Sequence, residues 1–355
     1  MGIKVAILKP VGDGCNLSCD YCYVNGKPLK VNIMSLETAI KIIDELMSQN
    51  NVDYVDFLWH GGEPLLRDID FYQRIFEYQK KYEYPKYRNS LQTNLTLLTH
   101  EWIDFFKDHN ITLSTSLDGT IQLHNRNRKY PDGSGSYDKV TEKIKMAQEA
   151  GLKVNVLTVV SKTNMYNANE IFNELNSLNI NHVGFLQCYS IVNNNLRYPS
   201  LEPGDYAKFL IDFFTLFLHK ESSFKIREFE QLFTGIINVK QDVCCFTGHC
   251  SDFICINSNG DVYACDTSPQ SSEYIFGNIT KESLVNILSS EKRNYLIKDI
   301  SNIHSDCTEC NYLDYCHNGC YNMRIKNKYY FCADRQSLYE FMLDTARKLI
   351  KEGGE

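Results

Sequence analysis

The sequence predicts an α/β fold built on a parallel sheet, with a cysteine-rich region after it. Three observations support this. Six strand–helix units alternate within about 190 residues. Segments rich in Gly, Cys or polar residues follow one strand after another, and the 355-residue chain carries 14 cysteines. The strands are expected at Ile3–Leu8, Tyr54–Trp59, Tyr87–Thr93, Thr112–Leu117, Lys153–Val160 and His182–Gln187. Ser35 caps the first helix, whose apolar positions Ala39, Ile42, Ile43, Leu46 and Met47 follow the helical period. Further helices are expected over Phe71–Tyr82, Glu101–His109, Tyr137–Ala150 (stopped by Gly151) and Ala168–Leu178. A partly closed (β/α) barrel and an open doubly wound sheet both fit, and in either the function gathers at the C-terminal ends of the strands. The segments there are Gly12 to Cys22, His60-Gly61-Gly62-Glu63, Gln92-Thr93-Asn94 and Ser116-Leu117-Asp118-Gly119.

Beyond residue 200 the character changes. Pro203 opens an aromatic-rich helix through about His219, and a mixed segment covers Phe224 to Val239. Cysteines crowd in from Asp242 onward. Phe253–Ile256 and Val262–Cys265 flank an Asn259-Gly260 turn, a hairpin signal. Ser337–Lys351 reads as a helix.

The hydrophobic fraction is 43% and the charged fraction 23%, enough to build a sizeable core. Asp and Glu outnumber Lys and Arg by 44 to 37, a net charge of −7, which argues against a nucleic-acid partner. No apolar run approaches the roughly 18 residues of a membrane helix. The N-terminal apolar stretch is too short for a secretory signal, and Ala6 breaks the myristoylation pattern. The expectation is a cytoplasmic, reducing environment, where 14 cysteines point to metal or redox chemistry rather than disulfides.

Cys15-Asn-Leu-Ser-Cys19-Asp-Tyr-Cys22 sets three thiols directly after the first strand. Thiolates at this density suit iron–sulfur clusters or zinc. A structural zinc site wants four closed ligands, whereas three ligands on a four-iron cube leave one iron open to an external molecule. The second constellation is Cys307, Cys310, Cys316, Cys320 and Cys332, and the third is Cys244, Cys250 and Cys265. Eight cysteines are enough for two fully ligated clusters, or for a pair of zinc ribbons. Cys188, Cys245 and Cys255 remain, and Cys245 could exchange roles with Cys244.

These residues resemble radical S-adenosylmethionine (SAM) enzymes with a SPASM C-terminal domain, and most closely the anaerobic sulfatase-maturating enzyme group. The resemblance rests on the CxxxCxxC loop, Gly61-Gly62-Glu63-Pro64, Ser90-Leu91-Gln92-Thr93-Asn94, Leu117-Asp118-Gly119 with His124 and Arg128, Cys265-Asp266, Gly277-Asn278-Ile279 and the Cys307 to Cys320 spacing. It implies a partial (β/α)6 TIM-like barrel over 1–200, a connector over 201–240, a SPASM domain over 241–340 and a tail over 341–355. It implies three 4Fe-4S clusters: a SAM-binding one on Cys15, Cys19 and Cys22, and auxiliary ones on Cys244, Cys250, Cys265 and Cys320 and on Cys307, Cys310, Cys316 and Cys332. Gly61, Gly62 and Glu63 would meet the SAM amino group, Ser116 the ribose, Arg128 the carboxylate, and Tyr21 and Val192 other parts of SAM.

The implied activity begins with reductive cleavage of SAM to a 5′-deoxyadenosyl radical. The radical abstracts hydrogen from a peptide or protein substrate, and Asp266 serves as the general base. An electron donor such as flavodoxin or ferredoxin is implied as well. Two positions depart from the sulfatase-maturase pattern: Val24 stands where a Tyr is expected and His60 where a Gln is expected. Cysteine- or serine-to-formylglycine conversion and ribosomal-peptide maturation by a crosslink or other modification therefore both fit, although a start almost at the first strand leads one to expect no N-terminal leader-binding domain. A non-catalytic zinc or iron–sulfur binding module is the alternative of another class.

Overall fold

The computed structural model describes residues 2–23, 32–192, 195–237, 241–269 and 271–352. Strand β1 (Val5–Leu8) precedes the cysteine loop, and helix α1 (Leu36–Met47) follows it, capped by Ser35 Oγ, which accepts a hydrogen bond from the Thr38 N–H at 3.0 Å. The positions α1 buries are Ala39, Ile42, Ile43, Leu46 and Met47, those the helical period picks out. Then come β2 (Tyr54–Trp59), α2 (Ile69–Gln79), β3 (Lys86–Gln92), α3 (His100–Asp108) and β4 (Thr112–Ser116). The alternation continues through α4 (Ile121–Asn127), α5 (Tyr137–Glu149), β5 (Val154–Val160), α6 (Ala168–Ser177) and β6 (His182–Gln187). Two short strands, β7 (Ile191–Val192) and β8 (Asn195–Leu196), precede α7 (Asp205–His219), β9 (Lys225–Ile226) and α8 (Arg227–Ile236). The cysteine-rich part holds α9 (Cys244–Thr247), β10 (Phe253–Ile256), β11 (Asp261–Tyr263) and β12 (Gly277–Asn278). It ends in five helices: α10 (Leu284–Leu288), α11 (Glu291–Ser301), α12 (Ser305–Thr308), α13 (Leu313–Cys316) and α14 (Cys332–Glu352).

The chain forms two compact units, each drawn from separate stretches. The first takes residues 1–116, 127–154 and 250–301, the second 117–126, 155–249 and 302–355.

In the first unit the strand order is β12-β11-β10-β1-β2-β3-β4. Strands β1 to β4 run parallel, as repeated βα crossovers require. The β10–β11 hairpin forms at the expected Asn259-Gly260 turn, where Gly260 takes φ +86°. Its first strand also pairs in parallel with β1, matching Ile7 to Cys255. Periodicity along one segment carries no information about such a distant partner. Behind the sheet Trp59 is fully buried, donates from its indole N–H to Asn89 Oδ1 at 2.9 Å, and meets the Tyr72 and Phe71 rings edge-on.

In the second unit β5, β6 and β9 are parallel neighbours. Phe185, Phe209 and Phe213 pack ring to ring behind them. The Asp334 carboxylate accepts hydrogen bonds from Gly204 N–H at 2.7 Å and Ala207 N–H at 2.8 Å, tying the start of α7 to α14. Helix α14 starts five residues earlier than Ser337. Its first turns carry Asp334 and Arg335, buried polar residues that hide the apolar pattern. The segment from Phe224 resolves into β9 and α8, with Val239 outside the described residues. Among the described residues no helix is long and apolar enough to cross a membrane.

Candidate functional site

The loop of Cys15, Cys19 and Cys22 leaves the C-terminal end of β1 and is fixed by backbone pairing. Ser18 N–H donates to Lys129 O at 2.7 Å and Asp20 N–H to Asn127 O at 3.0 Å. The Gly61-Gly62-Glu63 turn at the end of β2 lies directly against the start of this loop: Gly62 N–H donates to Gly12 O at 3.0 Å and Glu63 N–H to Gly14 O at 2.8 Å. A Cβ on Gly62 would fall 1.9 Å from Gly14 O, so only glycine permits this approach, and Gly61 holds φ +107°.

The three thiols are half-buried. Cys15 Sγ accepts from Leu17 N–H at 3.4 Å and from Asn94 Nδ2 at 3.7 Å. Burial first, then the Glu63 carboxylate, pushes its thiol up to about 12. A thiol so placed becomes a thiolate readily only when a metal takes the charge. Soft donors, one backbone and one side-chain N–H toward the Cys15 sulfur and a bare glycine cradle fit an iron–sulfur cluster.

The strand ends beside the loop each contribute a polar group. Thr93 Oγ1 donates to Glu63 Oε1 at 2.5 Å and Asn94 N–H to Oε2 at 2.7 Å. Glu63 is fully buried, and burial pushes its carboxyl up to about 7 although Thr93, Leu65 and Asn94 all donate to it. Gln92 Nε2 donates to Ser116 Oγ at 3.2 Å. Arg128 is 8% exposed, with its guanidinium 5.4 Å from the centre of the Tyr21 ring. That places it inside the fold rather than on a solvated face, and it brings Tyr21 and Arg128 together. Val192 stands exposed on β7 in the second unit. In that unit Asp118 is buried and accepts from Val159 N–H at 3.1 Å, and its own N–H donates to His124 Nδ1 at 3.4 Å.

Asp266 gathers residues from distant parts of the first unit. Its Oδ1 accepts from Cys265 Sγ at 3.0 Å, and its Oδ2 lies 3.4 Å from the Tyr23 hydroxyl, which donates, and 3.7 Å from His60 Nε2. Burial pushes His60 below its ordinary value while Asp266 pulls the other way, and His60 Nδ1 is buried without a hydrogen-bond partner among the described residues. Lys9, fully buried at the end of β1, pairs with Asp13 and lies 5.9 Å from the Tyr23 ring centre. Sequence reasoning passed over Lys9 and Tyr23. The available signal was a lysine four residues from an aspartate, and a tyrosine next to Cys22. Val24 lies outside the described residues.

Of the C-terminal cysteines, Cys250 and Cys265 belong to the first unit, and Cys244 and Cys320 to the second. Cys307, Cys310, Cys316 and Cys332 all line one small cavity of the second unit. Burial raises the Cys307 thiol, and the neighbouring Cys316 and Cys310 raise it further. Burial raises the Cys245 thiol, and the charges of Arg335 and Arg227, which it faces, pull it only part of the way back. Cys255 and Cys188 are buried thiols, Cys255 in β10 against Ile7 and Tyr263. Among the described residues no three His, Cys, Asp or Glu side chains converge on one point as ligands of a single ion do.

Residues 10–175 match the radical SAM superfamily and residues 244–311 match an iron–sulfur cluster-binding domain, SPASM. The chain is 31% identical to a serine-type anaerobic sulfatase-maturating enzyme of Bacteroides thetaiotaomicron, over 92% of this chain and 84% of that one. It is 28% identical to a cysteine-type anaerobic sulfatase-maturating enzyme of Clostridium perfringens, over 94% and 95%. The solved structure of native anSMEcpe with bound AdoMet and Cp18Cys peptide superposes with a TM-score of 0.87 at 26% identity, covering 98% of this chain and 99% of that one.

Proposed function

This chain belongs to the radical SAM enzymes with a SPASM domain, in the family of the anaerobic sulfatase-maturating enzymes, and from that premise we propose that it oxidises a serine or cysteine side chain of a peptide or protein substrate to the aldehyde of formylglycine. The observation that carries this reading is the Gly61-Gly62-Glu63 turn seated on the Cys15, Cys19 and Cys22 loop, with a contact at Gly62 that excludes any side chain. In this reading the three cysteines hold the SAM-binding 4Fe-4S cluster and leave one iron open. Cys307, Cys310, Cys316 and Cys332 would hold one of two auxiliary clusters, which would take up the second electron of the oxidation. A cysteine substrate also exchanges its sulfur for the oxygen of water, releasing hydrogen sulfide. When bound, SAM and its cluster supply the one-electron chemistry that removes a hydrogen atom from a substrate carbon.

The chain's own residues do the rest. Arg128, fixed over Tyr21, offers a planar fork to the SAM carboxylate, and Ser116, held by Gln92, faces the ribose. The carbonyls of the glycine turn receive the SAM amino group, and Glu63, held by Thr93, Leu65 and Asn94, fixes the turn. Asp266 takes the proton from the hydroxyl or thiol being oxidised, and Tyr23 and His60 hold its second oxygen in place. A flavodoxin or ferredoxin is the fitting electron donor.

The test is mass spectrometry of two peptides, each incubated anaerobically with reduced protein and SAM. One is derived from a sulfatase, the other is encoded beside the gene. An aldehyde in place of the sulfatase peptide's serine or cysteine is expected. A crosslink in the neighbouring peptide, with the sulfatase peptide untouched, would replace this reading with ribosomal-peptide maturation.

A further inference from the structure

Arg335 is a buried cation without a carboxylate. It is 4% exposed, and no Asp or Glu among the described residues lies within ion-pair distance of it. Its guanidinium is clamped 3.9 Å from the Phe246 ring centre and 5.6 Å from that of Tyr329, and Nη2 donates weakly to Cys245 O at 3.5 Å. Nη1 is buried with no hydrogen-bond partner among the described residues. The Cys245 thiol and the Tyr339 hydroxyl also face it, both neutral in their ordinary forms, and a guanidinium buried among neutral partners costs several kcal/mol, more than two aromatic faces return.

The compensation lies in the cavity that Arg335 lines with Cys307, Cys310, Cys316 and Cys332. Arg335 sits three residues after Cys332 on α14, so both side chains share one helix face. Gln336 Nε2 donates to Cys310 Sγ at 3.5 Å, a second donor aimed at the thiols. Lys328 also lines the cavity, but its ammonium is spent on Asp306 at 2.7 Å. Arg335 is thus the cation there with an N–H to spare. A four-iron cluster on four thiolates is anionic, and more so when reduced. A fixed buried positive charge therefore favours the reduced form.

We propose that Arg335 is the built-in counter-cation of the cluster held by Cys307, Cys310, Cys316 and Cys332, and that it sets that cluster's reduction potential upward. This rests on the reading of those four cysteines as a cluster site.

The test is a redox titration followed by electron paramagnetic resonance, on full-length protein carrying Cys15→Ala, Cys19→Ala and Cys22→Ala to remove the N-terminal signal. Cys310→Ser identifies which remaining signal belongs to this cluster. With Arg335→Met that signal's reduction equilibrium is expected to shift at least tenfold toward the oxidised form, about 59 mV more negative for one electron, while the other signal stays put and the iron content holds. Arg335→Lys keeps a charge but loses the fork, so it is expected to move the same signal part of the way, and it decides the matter if the methionine variant loses its cluster. Unmoved midpoints in iron-replete variants would overturn the role of Arg335 alone. A parent with no signal sensitive to Cys310→Ser would overturn the cluster reading as well.

Discussion

Glu63 shows how a single residue's environment decides its chemistry. Its carboxyl faces donors from Leu65, Thr93 and Asn94, yet burial outweighs them and lifts it from an ordinary 4.5 to about 7. The folded state therefore favours the neutral acid. Stability is full below the unfolded value and falls as pH rises from about 4.5 to about 7, by roughly 3 kcal/mol in all. Chemical denaturation of the cluster-free wild type and of Glu63→Gln across that window checks this. The difference in unfolding free energy is expected to move against the wild type as pH rises, and a flat difference would contradict it. Asp266 calls for a different experiment. Asp266→Asn is expected to spare SAM cleavage and to lower product yield about 100-fold or more, measured as deoxyadenosine against modified peptide in one reaction. A normal product yield would remove Asp266 as the base. The sequence showed Asp266 as a carboxylate beside a cysteine and His60 as a departure from a pattern. Only the fold sets them 3.7 Å apart, because two loops far apart in the chain meet there.

At the scale of elements, the decisive contact is a turn on a loop. Gly62→Ala would drive a methyl group into the Gly14 carbonyl, backbone at the start of the cysteine loop with little room to yield. The variant is expected to lose SAM affinity at least tenfold, about 1.4 kcal/mol, with the iron of the C-terminal cysteines retained. Equilibrium dialysis with labelled SAM reads the first quantity and iron analysis the second. Elements with a clean period were legible in advance: α1 through its five buried positions, and β2 and β6 at their observed bounds. The start of α14 was not, because buried Asp334 and Arg335 break its apolar stripe, and neither was α4, a short helix that includes Gln122, Asn125 and Arg126.

At the scale of the whole molecule, the two compact units do not follow chain order, and this was the least legible feature. Strand pairing between β1 and β10 joins residues 5–8 to residues 253–256 in one sheet. A fragment ending at residue 200 would leave β1 as an open, apolar sheet edge. Such a fragment is expected to aggregate on expression where the full chain stays in solution, as sedimentation of the two lysates will read. A soluble, monomeric fragment would contradict the importance of that pairing. Cys255 belongs to this same buried strand. Cys255→Ala is expected to leave the iron content unchanged by elemental analysis, and loss of one cluster would assign it a ligand role.

In the proposed enzyme the open iron of the N-terminal cluster binds SAM. Electron paramagnetic resonance of the reduced, reconstituted protein tests it most directly, recorded with and without SAM. One signal is expected to change shape on adding SAM and to be missing from Cys15→Ala, while the signals of the C-terminal clusters persist. A spectrum indifferent to SAM, or one unaltered in Cys15→Ala, would contradict the account.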